Sequence, residues 1–139
     1  MSFHNYRNIA VRNRLEEKVR DTIAASGRPV QYEVEQFEYI RPETAHTYTP
    51  DFKISDTVYI EAKGIWDLED RKKILLMKEQ HPDVIICMAF QNAYKPIRKG
   101  SKTTYADWCN EHGIPWCDLR TEPLPAEWFE NGTEPEEVV

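Results

Sequence analysis

The apolar positions of the chain change period several times, and each change marks an element. Asn13 can cap a helix in which Leu15, Val19 and Ile23 recur at four-residue spacing, and Gly27 supplies a stop, so a helix is predicted over about Arg14 to Ser26. After Pro29, VQYEVEQFEY alternates through Tyr32 and Val34 and then shifts phase to Phe37 and Tyr39, the pattern of a strand with a bulge. A long connection follows. YTPDFKI and TVYIEAKG, separated by Ser55-Asp56, read as an antiparallel pair of strands. Asp67 opens a second helix to about Gln80, with Ile74, Leu75 and Met77 among its apolar positions and Pro82 beyond its end. VIICMAF is then a short apolar strand, and strand, helix and strand together form a βαβ unit with parallel pairing and a right-handed crossover. The loop YKPIRKGSKTT leads to a helix of about Tyr105 to His112, stopped by Gly113, and to a short IPWC strand. The predicted class is α/β, with a mixed sheet flanked by helices. The final GTEPEEVV has no periodicity and reads as a disordered tail, and no internal repeat is visible.

Composition narrows this picture. A length of 139 residues suits one domain, and 40% hydrophobic residues, with 4 Trp, 7 Tyr and 5 Phe, exclude general disorder. No stretch approaches a membrane span, and MSFHNYRNIAVRNR lacks the apolar core of a signal peptide, which leads to the expectation of an intracellular, cytoplasmic protein with no membrane partner. Cys87, Cys109 and Cys117 are odd in number and are expected as free, mostly buried thiols; with His112 they fit no common zinc spacing. Trp108 and Trp116 fit core positions better than base-stacking platforms.

The formal net charge of −6 argues at first against a nucleic-acid partner. The distribution of that charge weakens the objection. Residues 118–139 hold seven acids against Arg120 alone, so this end carries the whole −6, whereas residues 71–102 hold eight bases and only two acids, Glu79 and Asp83. A solvated helix face followed by a loop would also account for such a basic segment.

The chemistry-bearing residues are a Pro-Asp at 50–51 and a Glu-x-Lys at 61–63. Across a short hairpin, Asp51 and Glu61 can converge at one end of the sheet and bind a hard cation such as Mg²⁺ through oxygen. Strand alternation places Glu61 and Lys63 on one face, so the ammonium can lie near both the metal and an attacking water. Phosphodiester hydrolysis needs such groups to neutralise charge on the phosphoryl oxygens and the leaving 3′ oxygen. The bland alternative makes Asp51 a turn residue and Glu61/Lys63 a surface pair. Glu16 likewise has two readings, because Asn13-x-x-Glu16 is also a capping box. A helix carrying Glu16 before the hairpin, and a βαβ unit after it, give the element order of the PD-(D/E)XK nuclease core, a restriction-endonuclease-like fold.

From Arg14 to Phe129, through RLEEKV, HTYTPDF, EAKGIW, DRKKILL, EQHP, KGSKTTY, EHGI and LPAEWF, the chain resembles the phage endonuclease I family of four-way-junction resolvases. By matching motif, the resemblance puts Glu16 in RLEEK, Asp51 in TPDF, and Glu61 and Lys63 in EAKG at the catalytic positions. It implies Asp51, Glu61, Glu16 and the Ala62 carbonyl as metal ligands, for two Mg²⁺ ions per site with Mn²⁺ able to substitute, and no small-molecule cofactor. It further implies a homodimer that cuts branched DNA and leaves 5′-phosphate ends. Two chains would exchange residues 14–40 across a bridge of about 41–49 onto cores of 50–129, so that Glu16 joins the partner's Asp51, Glu61 and Lys63. One nuclease domain over 1–129 and an acidic tail over 130–139 are expected.

Junction selection would rest on shape and backbone contact, since phosphate contacts carry no sequence information. The candidate DNA contacts are Arg7, Arg12 and Arg14, together with Arg71, Lys72, Lys73, Lys95, Arg98, Lys99 and Lys102. The acidic ending EPEEVV departs from relatives that often end in basic residues, which bears on DNA affinity more than on catalysis. Two other readings stand beside this one: a PD-(D/E)XK deoxyribonuclease that degrades host or replicating DNA, and a non-catalytic DNA-binding or DNA-mimicking protein. His46 carries no assigned role.

Overall fold

Local sequence signals fix most element ends. The computed structural model describes residues 9–41 and 44–130. Helix α1, Arg14–Ala25, starts where the extended Asn13 accepts a hydrogen bond from the Glu16 N–H at 2.8 Å. The expected capping box is only half formed. The Glu16 carboxylate does not return to Asn13 but accepts from the Arg12 N–H at 2.8 Å. Val19 and Ile23 on the inner face of α1 are completely buried. Burial of such side chains contributes about 1.5–3 kcal/mol each, so packing rather than its acids seats the helix.

The expected bulged strand is instead two strands in different sheets. β1, Gln31–Tyr32, ends at Glu33, whose φ of +52° takes the backbone out of the strand, and β2, Phe37–Arg41, begins a separate hairpin. Its mate β3, Thr44–Tyr48, pairs along its whole length from Phe37↔Tyr48 to Arg41↔Thr44, so most of the expected long connection is strand. The phase shift between Val34 and Phe37 is thus a change of sheet, not an extra residue.

The remaining strands form one mixed sheet in the order β1-β4-β5-β6-β7. β4, Phe52–Lys53, runs antiparallel to β1 and to β5, Val58–Lys63, and the turn between β4 and β5 is tied by Ser55 Oγ accepting from the Thr57 and Val58 N–H groups. β6, Ile85–Phe90, is parallel to β5, and β7, Trp116–Asp118, is parallel to β6. α2, Leu68–Gln80, capped by Asp67, makes the β5–β6 crossover, and α3, Tyr105–His112, joins β6 to β7 with a capping box at Thr104 and left-handed Gly113 at its end. A short α4, Ala126–Glu130, closes the described chain and has no counterpart in the hydrophobic periodicity.

Strand alternation divides the core into two layers. Val58, Ile60 and Ala62 of β5, with Cys87 and Ala89 of β6, pack with Val19 and Ile23 of α1 and Trp128 of α4. Tyr59 of β5, with Ile86, Met88 and Phe90 of β6, packs against Ile74, Met77, Tyr105 and Cys109 on α2 and α3. Trp108 and Trp116 are half-buried against this second layer. The three cysteines are free and buried, which pushes each thiol pKa up to about 12. Among the described residues no helix is long and apolar enough to cross a membrane. The 131–139 part of the expected tail lies outside the described residues.

Candidate active site

Asp51 stands immediately before β4, and Glu61 and Lys63 lie at the end of β5, so the β4–β5 hairpin alone brings them together. Two hydrogen bonds lock the arrangement. The Asp51 N–H donates to Glu61 Oε1 at 3.1 Å, and the Ala62 N–H donates to Asp51 Oδ2 at 3.0 Å. Asp51 and Glu61 are buried, at 2% and 7% exposure. Glu61 Oε1 also accepts from the Tyr48 hydroxyl at 2.9 Å, while its Oε2 lies 4.0 Å from Lys63 Nζ. Alternation points Glu61 and Lys63 to the α2 side of the sheet, where Lys63 Nζ donates to Asp70 Oδ2 at 3.3 Å. Lys73, one turn further along α2, approaches Asp70 at 3.8 Å and the Tyr48 ring at 5.3 Å.

Glu16 reaches the cluster from α1. Its Oε1 accepts from the Tyr32 hydroxyl at 2.7 Å, and the Arg12 guanidinium binds both Glu16 Oε2, at 3.0 Å, and Asp51 Oδ1, at 2.9 Å. Arg12 also pairs with Glu33 at 2.6 Å, which places Glu33 at the bend where the chain leaves the main sheet. Here α1 packs on the strands of its own chain, so Glu16, Asp51, Glu61 and Lys63 converge within one polypeptide.

The electrostatics of the acids differ sharply. Burial raises the Asp51 pKa to about 8, with the Glu61 charge adding to the rise and the Ala62 N–H and Arg12 opposing it. Burial likewise raises Glu61 against the pull of Lys63 and Tyr48. For Glu16 burial also acts upward, but the Arg12 N–H, the Tyr32 hydroxyl and the Arg12 guanidinium outweigh it and hold the carboxyl below its usual range. Two buried carboxylates with raised pKa values are short of positive charge, which a hard divalent cation would supply. Arg12 meets part of that demand and stands in for a cation between Glu16 and Asp51. Among the described residues no three His, Cys, Asp or Glu side chains are grouped to hold a metal by protein ligands alone. One or two carboxylates with waters is the donor set that Mg²⁺ commonly takes, so Asp51 and Glu61, with the Ala62 carbonyl, fit that ion.

Of the candidate DNA contacts, Lys72, Arg98, Lys99 and Lys102 are exposed and Lys95 is half-buried in the loop after β6. Arg71 is turned inward. It is 4% exposed and its Nη1 donates to the Trp66 and Ile97 carbonyls at 2.8 and 3.1 Å, so it holds the loop to α2 instead of facing a phosphate. Arg7 lies outside the described residues. Tyr32, Glu33, Tyr48 and Asp70 are site residues that the sequence does not single out; Tyr48 alone carries a signal, three residues before Asp51 in the same strand-like run. His46 bonds locally to Thr44 at 2.9 Å.

The profile of the phage endonuclease I family matches residues 2–138. The chain belongs to that family. It is 43% identical over 109 residues to endodeoxyribonuclease 1 of Enterobacteria phage T3, covering 78% of this chain and 72% of the relative. With endonuclease I of Escherichia phage T7 it shares 40% identity over 120 residues, or 86% of this chain and 78% of the relative. Both matches cover most of each chain.

Proposed function

We propose that this protein is a divalent-metal-dependent endodeoxyribonuclease that hydrolyses phosphodiesters at the Asp51–Glu61–Lys63 centre and prefers four-way and other branched DNA. The observation that carries the reading is the convergence of two buried, charge-deficient carboxylates and a lysine at one sheet end, in a chain whose relatives are named as endonucleases.

Asp51, Glu61 and the Ala62 carbonyl would hold Mg²⁺, with Glu16 as the further carboxylate. Bound there, the ion supplies Lewis acidity toward the phosphoryl oxygen and lowers the pKa of a coordinated water. The chain's own groups do the rest. Tyr48 and the Asp51 N–H fix one oxygen of Glu61 and leave the other facing Lys63, so the carboxylate cannot rotate away. Asp70 holds the Lys63 ammonium at the rim, where its remaining protons can meet a phosphoryl oxygen or orient the attacking water. Water adds to phosphorus and gives up one proton to solvent, the bond to the 3′ oxygen breaks, that oxygen takes up a proton, and the phosphate stays on the 5′ end.

The branched preference implies a homodimer that presents two such centres to opposing strands. Exchange of residues 14–40 between chains would make the α1 contacts described here across the dimer. A heterodimer of one Glu16→Ala chain and one Asp51→Ala chain separates the arrangements. Exchange leaves one intact site and yields nicked cruciform plasmid, whereas Glu16 acting in its own chain leaves none. The preference itself is tested by cleavage of a synthetic four-way junction beside its linear arms, with and without Mg²⁺. Faster cutting of the junction only with metal is expected; equal rates on linear arms would favour the broader nuclease reading, which uses identical chemistry.

A further inference from the structure

A second charged feature lies beside the catalytic centre and takes no part in it. Arg14, Leu15 and Lys18 on the first turns of α1 face Gln91, Leu119 and Arg120, which follow the C-terminal ends of β6 and β7, across a groove of about 250 Å³. Three cations therefore line one cavity, although they come from distant places in the chain. Arg120 is pre-aligned. Asp118, 1% exposed, accepts from Arg120 Nε at 3.1 Å, from Nη2 at 2.8 Å and from the Arg120 N–H at 2.9 Å, which leaves the outer Nη1 uncommitted. Lys18 Nζ donates to the Leu119 carbonyl at 2.7 Å and keeps two further protons. Arg14 is exposed, with no carboxylate partner among the described residues.

The groove adjoins the catalytic strand. The Gln91 N–H donates to the Lys63 carbonyl at 3.0 Å, and the Gln91 side-chain oxygen lies 3.1 Å from where a Cβ on Gly64 would stand. The same α1 that carries Glu16 into the active site thus carries Arg14 and Lys18 into the groove. We propose that this groove binds a non-scissile phosphodiester of the strand being cut, one or two nucleotides from the scissile bond, through Arg14, Lys18 and Arg120. The inference rests on the reading that DNA is cut at Asp51, Glu61 and Lys63, and it assigns a binding role to Lys18 and Arg120 that charge clustering along the sequence does not mark.

The chemistry fits an internal phosphodiester. A planar guanidinium held from behind by a carboxylate presents fixed donors to phosphate oxygens, and a lysine tethered to a carbonyl adds a point charge. Such a contact would fix the register of the strand and so place the next phosphate at Lys63.

The test compares the full-length wild-type protein with Arg14→Gln, Arg120→Gln and the double variant, on junction and linear DNA in EDTA, by anisotropy across a salt series. Cutting is scored in parallel with Mg²⁺. Each DNA is also made with one neutral methylphosphonate at a time on either side of the cut. The expected result is a roughly three- to tenfold weaker binding by the double variant at low salt, with a log–log salt slope shallower by about 0.9 for the lost phosphate contact. One methylphosphonate position within two nucleotides of the cut should weaken wild-type binding but leave the double variant unaffected. Arg14→Gln breaks no described contact, so it reports on the groove even where Arg120→Gln lowers stability by loosening Asp118. Unchanged affinity and slope in Arg14→Gln and the double variant would overturn the proposal, as would equal methylphosphonate interference in wild type and variant at every position. A wild-type protein that neither binds nor cuts DNA would remove the function itself, and that failure would show before any variant is compared.

Discussion

Two buried aspartates sit at the C-terminal edge of the same sheet, and they differ in one respect that sorts structure from chemistry. Asp118, at the end of β7, is surrounded by donors: the Arg120 guanidinium and N–H and the Ala93 N–H all reach it. The Arg120 hydrogen bonds hold its carboxyl below the usual range despite burial. Burial, with the charge of Glu61 added to it, raises the Asp51 pKa to about 8, and only the Ala62 N–H and a shared, exposed Arg12 oppose the rise. A buried acid whose charge is balanced locally is an internal brace. One left short of positive charge is poised for an incoming cation.

The largest difference should appear in catalysis. Glu61→Gln and Lys63→Ala are each expected to lower strand cutting by at least about a hundredfold, the scale on which removal of one preorganised transition-state group acts, while Asp118→Asn leaves the centre in place and should lose far less cutting, through a looser Arg120 contact to DNA. Single-turnover cleavage of a junction checks this. Next comes stability, where the order reverses. Asp118→Ala strips the Ala93 and Arg120 N–H groups of their acceptor and should cost about 1–3 kcal/mol by urea denaturation, whereas Asp51→Asn in EDTA at pH 8 should not destabilise and should raise the midpoint.

The pH dependence sharpens the contrast further, with opposite signs. Asp51 keeps its proton in the metal-free fold to about pH 8 but loses it at about 3.9 when unfolded, so the stability it contributes is full below about pH 4 and is lost as pH rises through about 8. Asp118 has a depressed pKa, so its contribution is present above about pH 4 and is lost as pH falls through its folded value. Thermal melts in EDTA should show the alkaline slope flattened in Asp51→Asn and the acid slope flattened in Asp118→Asn. The smallest effect is expected from Tyr48→Phe, which removes a single hydrogen bond to Glu61 worth about 1 kcal/mol and should raise the Mg²⁺ needed for half-maximal cutting several-fold.

What the sequence reveals, and what it hides, follows the same divide between local and distant partners. The β4–β5 hairpin, the crossover helix with its Asp67 cap and the Glu61/Lys63 alternation depend on neighbours a few residues away, and the periodicity carries them. The break at Glu33 escapes the pattern because a phase shift has the same apolar signature whether the strand bulges or leaves the sheet. Arg71 falls within the basic segment because a linear charge run cannot tell an arginine that binds carbonyls from one that meets solvent. Arg12 lies 39 residues from Asp51, and Arg120 lies far from Arg14 and Lys18, so neither the shielding of the site nor the cationic groove has a local pattern to find. Bases at 71–102 are dense along the chain, yet the cations nearest Glu16, Asp51 and Glu61 come largely from elsewhere.

On the proposed function, Asp51 completes a centre that works only with a bound divalent cation. The most direct test is the cutting of a four-way junction by Asp51→Asn at saturating protein with Mg²⁺, scored beside gel-shift affinity. Asp51→Asn is expected to bind the junction within about tenfold of the wild type and to leave it uncut, because the group acts at the metal and the transition state rather than in DNA affinity. Retained Mg²⁺-dependent cutting by this variant would contradict the assignment of the metal centre to Asp51 and Glu61.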